Sequence, residues 1–293
     1  MTRLRALAYA TVLEILGEPF VLLLTLSSLA LAVLAPAFHY HQFGEASRMA
    51  RDAGISALIL GGSVLAVFAP IRTYRREIES GTVLTALALP VSRTLFFLAK
   101  FLGLFVAYVV FVTTVGCVSL TIVNGAEIGG VIAAARGDVA RLWGPSLACA
   151  VSVLVVPLAG AAALNRFARF RFTLSANLMA LVLACAGLAY RFNAALAYRY
   201  LPVALLAALP ALVLMAAAAA FSVRLRGNAA STAAVLAGAA FLPALGNYCL
   251  SDALTDGGAV GGAYILQALA AIAPAVAGLL LLGMALFKER DVS

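Results

Sequence analysis

The chain has 293 residues, of which 65% are hydrophobic and 11% are charged, and its mean hydropathy is +1.08. No soluble domain hides that much apolar surface in a core, so most of the chain is predicted to lie in lipid. The formal net charge of +8 is scattered between apolar segments. It is not gathered in a basic run with interleaved aromatic residues, which argues against a nucleic-acid-binding protein.

The first eighteen residues are predicted to form an amphipathic helix that lies along the membrane surface. Glu14 and Glu18 interrupt the segment too early for the apolar stretch of a cleavable signal peptide. Pro19 is expected to turn the chain into the bilayer. The apolar residues that recur at three- and four-residue steps are Leu4, Leu7, Ala8, Val12, Ile15 and Leu16.

Eight uncharged apolar runs follow, each about 17 to 30 residues long, which is the length a helix needs to cross a bilayer. None of them alternates with a period of two, so the predicted fold class is all-α, a polytopic membrane helical bundle. The connection at 124–142 is the longest predicted outer loop. The spans are predicted at 20–38, 55–71, 94–123, 143–164, 173–190, 201–222, 229–248 and 262–287.

Basic residues are distributed unevenly between the two sides of this predicted topology. If the N-terminus is cytoplasmic, 14 Lys and Arg residues are inside and 6 are outside. This bias satisfies the positive-inside rule with both termini in the cytoplasm. The outside set is Arg48, Arg51, Arg136, Arg141, Arg191 and Arg199.

The charged stretch at 72–93, between the second and third spans, is the segment best suited to docking another protein. Three arginines and two carboxylates open it, and it is predicted to form a short surface helix, a turn and a re-entry into lipid. An ion pair between Arg75 and Glu79 adds only about 0.2 to 0.5 kcal/mol, so stability does not explain the cluster. Glu77 and Glu79 are expected at its water-exposed end, and Ser92 is expected to cap the next helix.

The predicted spans carry no Asp, Glu, Lys, Arg or His near their middle, where an ion-coupled carrier binds its ion. Lys100, about two turns into the third span, is expected to reach back to the interface. The chain also lacks a G-x-x-x-x-G-K-[ST] nucleotide-binding loop. Energy is therefore expected from a separate docked ATPase, and the chain itself is predicted not to be an enzyme.

No cofactor or metal site is predicted. The four cysteines lie singly in or beside apolar segments, and His39 and His41 would point to different faces of a helix. The polar residues inside the spans are few and weakly polar. Such a lining suits an amphiphilic or hydrophobic cargo better than a sugar or an ion.

Three pieces of the chain resemble the permeases of ABC-2 type transporters, in the family's order and spacing. The closing Leu286-Phe287-Lys288-Glu289-Arg290 is also similar. The resemblance is closest over roughly the first hundred residues and general beyond them. The three pieces are Glu77-Ile78-Glu79-Ser80-Gly81-Thr82, Leu89-Pro90-Val91-Ser92-Arg93 and Lys100-Phe101-Leu102-Gly103.

The resemblance implies a single permease domain over 1–293, with a six-span core and two extra spans. It implies a multi-pass subunit of the bacterial inner membrane that pairs with a second permease subunit, is driven by two copies of a separate ATPase and exports its substrate. Residues 73–89 would be the coupling element that docks into the ATPase. The residues expected to contact the ATPase are Arg75, Arg76, Glu77, Glu79, Thr82, Val83, Leu84, Leu87 and Pro90.

Two rival interpretations remain. One is a non-transporting membrane scaffold that anchors an assembly or maturation complex. Such a scaffold would have the same basic loops as a permease. The other is an ion-coupled secondary carrier, which the lack of charges at the middle of the spans disfavours.

Overall fold

The structure is a computed structural model that describes residues 2–34, 46–79, 92–136, 143–190, 192–225, 229–238 and 260–289. Within these ranges all regular secondary structure is helical, which confirms the all-α fold class. The helices in this part of the chain are α1 Thr2–Leu16, α2 Pro19–Leu34, α3 Ala46–Glu79, α4 Arg93–Arg136, α5 Trp143–Ala168, α6 Phe172–Tyr190, α7 Ala194–Ser222, α8 Ala229–Gly238 and α9 Gly262–Glu289.

Five of these helices, α3, α4, α6, α7 and α9, are long and apolar enough to cross a membrane. Helices α1 and α2 meet at 63° and pass the same test only as a pair, which gives at most six crossings among the described residues. Eight crossings are therefore not found there. The predicted spans at 143–164 and 229–248 lie partly outside the residues whose side chains are described, and their described apolar stretches are short.

Helices α3 and α4 are much longer than the apolar runs that predicted them. They contain 34 and 44 residues, which corresponds to about 51 and 66 Å, against a hydrocarbon core of about 30 Å. The predicted outer loop at 124–142 is wrong as far as Arg136, because alanines at 133–135 favour continuing α4. Residues 72–79 are likewise not a separate surface helix but the last two turns of α3, which continues past Pro70.

The bend between α1 and α2 lies at Gly17 and Glu18. Their N–H groups donate to the carbonyls of Leu13 (3.1 Å) and Ile15 (3.0 Å), which closes α1. Pro19 has no N–H to donate and is the first residue of α2, the helical position that suits proline best. The predicted turn of the chain at Pro19 is confirmed.

Helix α1 is amphipathic, and it packs against the first half of α4. Ala8, Thr11, Ile15 and Leu16 are buried, whereas Tyr9 on the opposite side is 66% exposed. The apolar stripe recognised in the sequence is therefore used to cover a neighbouring helix. This contact brings the end of α1 to the beginning of α4.

Contacts between helices define two ends of the bundle. At one end α1, α3 and α4 meet around Lys100, and we call this the Lys100 end. At the other end Gly54 of α3 faces Ser119 of α4 and Tyr200 of α7, and we call this the Tyr200 end. Helices α3 and α7 run toward the Lys100 end and α4 runs away from it, so the three form an antiparallel core.

The two predicted sets of basic residues are separated by end. Arginines and a lysine predicted inside lie at the Lys100 end, whereas described arginines predicted outside lie at the Tyr200 end. The first group is Arg72, Arg76, Arg93, Arg171 and Lys288, and the second is Arg48, Arg51 and Arg199. The identification of the Lys100 end with the cytoplasm stays a prediction.

Candidate functional site

Six charged side chains from α1, the turn after it, α3 and α4 converge at the Lys100 end. Three are carboxylates and three are cations, so their formal charges cancel. We call this set the ion-pair cluster. Its members are Glu14, Glu18, Arg72, Arg76, Glu77 and Lys100.

The outer part of the ion-pair cluster is centred on Glu18. Arg72 Nη2 is 3.0 Å from Glu18 Oε2, and Arg76 Nη1 is 3.0 Å from Glu18 Oε1. The two arginines are four residues apart on α3, so they share a face and hold one carboxylate between them. Their side chains are 59% and 62% exposed, so these pairs add little stability by themselves.

The buried part of the ion-pair cluster is centred on Lys100, whose side chain is only 6% exposed. Its Nζ pairs with Glu77 Oε1 and lies 3.7 Å from Glu14 Oε2. The ring of Phe96 also faces the ammonium, with its centroid 5.9 Å away. Because an unpaired buried charge is costly, the two carboxylates are what permit a lysine at this position. The contacts join α3 to α4 and link both to α1.

Gly103, one turn after Lys100, permits the close approach of α1 to α4. A Cβ at this position would be 2.6 Å from the Thr11 Cβ and 2.8 Å from the Ala8 carbonyl oxygen, which is too close for either contact. The absence of a side chain at Gly103 therefore brings Glu14 within reach of Lys100. The Lys100–Gly103 piece thus has a physical explanation: its lysine and its glycine serve the same contact between helices.

Aromatic residues beside the ion-pair cluster extend the contact to α9. Tyr74 stacks on Phe97 with ring centroids 5.1 Å apart, and its hydroxyl donates to the Phe97 carbonyl at 2.9 Å. Phe96 stacks on Phe287 of α9 at 6.0 Å. The end of α3, the beginning of α4 and the end of α9 are therefore packed as one unit.

The beginning of α4 is fixed by two residues of the Leu89–Arg93 piece. Ser92 Oγ accepts a hydrogen bond from the Leu95 N–H at 3.3 Å, so the predicted N-cap is confirmed. Arg93 Nη1 donates to the Lys288 carbonyl oxygen at 3.2 Å. This bond satisfies one of the last carbonyls of α9, which have no partner within their own helix.

One sequence prediction about this end is wrong. Glu77 is not at a water-exposed end, because its side chain is only 15% exposed and pairs with Lys100. Lys100 is buried between the carboxylates of Glu14 and Glu77, and its predicted reach to the membrane interface stays a prediction. The sequence pattern of the third span does not reveal that α1 covers this face of α4.

The other predicted contact residues fall into two groups. Arg75 and Arg76 are on the exposed side of α3, and Arg76 binds Glu18. The predicted pair of Arg75 with Glu79 involves a side chain outside the described residues. The remaining predicted contacts, Thr82, Val83, Leu84, Leu87 and Pro90, also lie outside them.

Sequence reasoning missed Glu14 and Glu18 as members of the site. A usable signal was present, since they are four residues apart, one in the last turn of an amphipathic helix and the other directly before Pro19. Carboxylates next to an apolar run are stabilised by cations nearby. The arginines at 72 and 76 and the lysine at 100 were the candidates.

The carboxylates of the ion-pair cluster are engaged by the cations of the cluster itself. Among the described residues, no three His, Cys, Asp or Glu side chains are arranged to hold a metal ion. The three carboxylates face cations of the protein instead. The arrangement holds α3, α4, α1 and the turn after α1 together.

No protein-family model matches the chain, and no curated protein or solved structure matches it. The functional interpretation therefore depends on the residues of the chain and on their geometry.

Proposed function

We propose that the chain is the membrane-spanning permease subunit of an ABC-2 type transporter that exports an amphiphilic or hydrophobic substrate and is driven by a separate ATPase. One observation carries this proposal. Residues 80–91, which belong to the stretch that resembles the family's docking connection, join α3 to α4 next to the ion-pair cluster that fastens those helices together. A force on this connection acts on both helices at once.

The lengths of α3 and α4 support this role. Neither helix has a break within its described range, and each reaches from the Lys100 end to the Tyr200 end. The Glu77–Lys100 pair couples their motions at the point where the connection would pull. Mechanical work received at one end of the bundle is thereby carried to the other.

The distribution of charge supports an external source of energy. The described membrane-crossing helices have charged residues near their ends and none along their middle, for example none between Asp52 and Arg72 in α3. These described helices therefore offer no charged ligand for a coupling ion at the midplane of the membrane. The chain also has no nucleotide-binding loop in its sequence.

The membrane, orientation and assembly that we propose are based on the family resemblance and on the uneven distribution of basic residues. The Lys100 end would face the cytoplasm of a bacterial cell, with both chain termini on that side of the inner membrane. The subunit would cross the membrane about eight times and pair with an identical or a second permease subunit. Two copies of the ATPase would dock onto the pair.

Docking is tested by changing the connection without disturbing the ion-pair cluster. Reversal of Glu77 is unsuitable, because it removes the partner of Lys100 and confuses docking with folding. Glu79→Lys combined with Leu84→Asp changes one predicted polar contact and one predicted apolar anchor. We expect this variant to lose about 2 to 5 kcal/mol of binding to the ATPase that co-purifies with the wild-type chain.

The matched control is Glu289→Lys, which makes the same charge reversal at the last residue of α9, outside the connection. The measurement is ATPase affinity for the chain in lipid nanodiscs, together with the amount of folded protein. The control should bind like the wild type. Wild-type affinity in the double variant, at normal protein levels, would remove the docking role of residues 80–91.

The scaffold interpretation makes a different prediction for the same preparation. A scaffold also binds its partner through basic loops, but hydrolysis of ATP by that partner leaves the Tyr200 end unchanged. Robust ATP hydrolysis by the purified chain alone would contradict both the permease and the scaffold interpretations.

A further inference from the structure

Two cysteines that are far apart in the sequence face each other between α4 and α6. Cys117 lies on α4 and Cys185 lies on α6, and a hydrogen bond joins their side chains. Both are free thiols, of which Cys185 is exposed and Cys117 is half-buried. The sequence shows only separate cysteines, so the packing of the helices is what reveals this pair.

The register of α6 along α4 places the two thiols at a similar height, independently of that hydrogen bond. At the Lys100 end, side chains in the first two turns of α6 donate to backbone carbonyls at the end of α1 and in the turn after it. Toward the other end, a Cβ at Gly187 of α6 would be 4.0 Å from Thr121 of α4. The two helices therefore run in the same direction. Cys117 is about 6 Å before Thr121 along α4, and Cys185 is about 3 Å before Gly187 along α6.

Small residues bring α6 close to the bundle beside this pair. Ala180 and Ala184 are buried and lie one turn apart on one face of α6. Cys185 follows Ala184 directly and is at the edge of that face, where a reagent reaches it. A disulfide requires Cα atoms about 4.4 to 6.8 Å apart. Two thiols in contact across a closely packed face need little backbone movement to meet that requirement.

The pair lies toward the Tyr200 end of the bundle. Cys185 is about 7.5 Å before Tyr190, the exposed last residue of α6. An exposed tyrosine at a helix end is typical of the interface between membrane and water. The predicted orientation places this end outside, next to a compartment in which disulfides form and persist.

We propose that Cys117 and Cys185 form a reversible disulfide bond that fastens α6 to α4. The oxidant is a molecule that itself carries a disulfide. The thiolate of the more exposed Cys185 attacks that disulfide and releases one half of the oxidant. Cys117 then attacks the Cys185 sulfur and releases the second half. Two cysteine thiols are oxidised to one disulfide, the oxidant is reduced to two thiols, and the cysteine protons pass to the released halves.

The disulfide adds a covalent link toward the end of the bundle that the ion-pair cluster does not reach. Helix α6 packs along α4, so the bond opposes any separation of the two helices, and reduction removes that restraint. The chemistry needs neither an ATPase nor transport. Its test is therefore separate from the test of the proposed function.

The experiment uses the full chain with Cys149→Ala and Cys249→Ala, purified in detergent under reducing conditions and then freed of reductant. One equivalent of dithiodipyridine, an apolar disulfide, is added, and the released thiopyridone is followed by absorbance. We expect two thiopyridones for each reagent molecule and a cross-linked peptide that contains positions 117 and 185 and is cleaved by dithiothreitol. Mass spectrometry should find the same cross-linked peptide in the unaltered chain.

The matched control moves one thiol to another face of the same helix. Leu183→Cys combined with Cys185→Ala shifts the thiol by about 200° around α6, away from Cys117. This control should keep the pyridyl group at position 183, and the parent chain should cross-link at least about tenfold faster because its thiols are held together. A pyridyl group that persists on Cys185 in the parent chain, a disulfide formed only between two chains, or equal rates in parent and control would overturn the proposal.

Discussion

The two ends of the bundle use charge in opposite ways. At the Lys100 end three cations meet three carboxylates, and the helices that carry them are held together. At the Tyr200 end Arg48, Arg51 and Arg199 line a cavity of about 340 Å³ between the beginnings of α3 and α7 and the second half of α4, and the described lining includes no carboxylate. Ion pairs therefore close the space between the helices at one end, whereas a space remains between them at the other.

The same helices build both ends of the bundle. In α3, Arg51 at the cavity and Glu77 in the ion-pair cluster are 26 residues apart, or about 39 Å along one helix. Helix α4 connects Lys100 with Val123 at the cavity in the same way. If α3 or α4 shifts as a rigid body at the Lys100 end, residues that line the cavity would move with it.

Removal of Lys100 should have the largest effect on the stability of the protein. Lys100→Met removes the ammonium that pairs with Glu77, whose side chain is only 15% exposed, and this should lower the free energy of unfolding by about 3 to 5 kcal/mol. The measurement is unfolding of the detergent-purified protein by sodium dodecyl sulfate. Lys288→Met, at an exposed position of α9, removes the same charge and should change the free energy little.

A double variant sharpens this prediction. Lys100→Met with Glu77→Gln removes both partners of the buried pair and should recover part of the lost stability, because no unpaired charge is left between them. An effect of Lys100→Met no larger than that of Lys288→Met would show that the Lys100 end is not fastened by charge.

A smaller effect is expected from closing the space at Gly103. Gly103→Ala places a Cβ against Thr11 and the Ala8 backbone, so α1 must move away and about 1 to 3 kcal/mol of stability should be lost. The control is Gly116→Ala in the same helix, where nothing lies within 4 Å of the added atom. Since alanine favours helix over glycine, the control should be neutral or stabilising. Equal behaviour of the two variants in thermal unfolding would contradict the close contact between α1 and α4.

The sequence predicts the helical fold well because lipid leaves few alternatives. Uncharged runs of sufficient length must be helices, and Pro19 and Ser92 mark helix starts by chemistry that depends only on neighbouring residues. Helix ends are predicted less well. Hydropathy finds the part of α3 that suits lipid, but residues 72–79 continue the helix through a charged stretch, where hydropathy gives no signal.

The candidate sites depend on distant contacts, which explains why the sequence predicts them only in part. The charged stretch at 72–93 is visible as a pattern, but the partners of Arg72, Arg76 and Glu77 come from α1, the turn after it and α4. The cavity at the Tyr200 end joins Arg51 and Tyr200 from helices almost 150 residues apart in the chain. No local spacing reveals such a pairing. It requires the antiparallel packing of α3 and α7.

The most direct test asks whether an ATPase docked at the Lys100 end, as we propose, changes the cavity at the Tyr200 end. In a chain whose four native cysteines are replaced by alanine, Ser47→Cys places one thiol in the cavity lining, and Phe192→Cys provides an exposed control outside it. The rate of labelling by a membrane-impermeant maleimide is measured in the assembled complex, first without nucleotide and then trapped with ATP and vanadate. The account predicts that the rate at position 47 differs between the two states and that the rate at position 192 does not. Identical rates at position 47 in a complex that hydrolyses ATP would contradict the transporter and favour the scaffold.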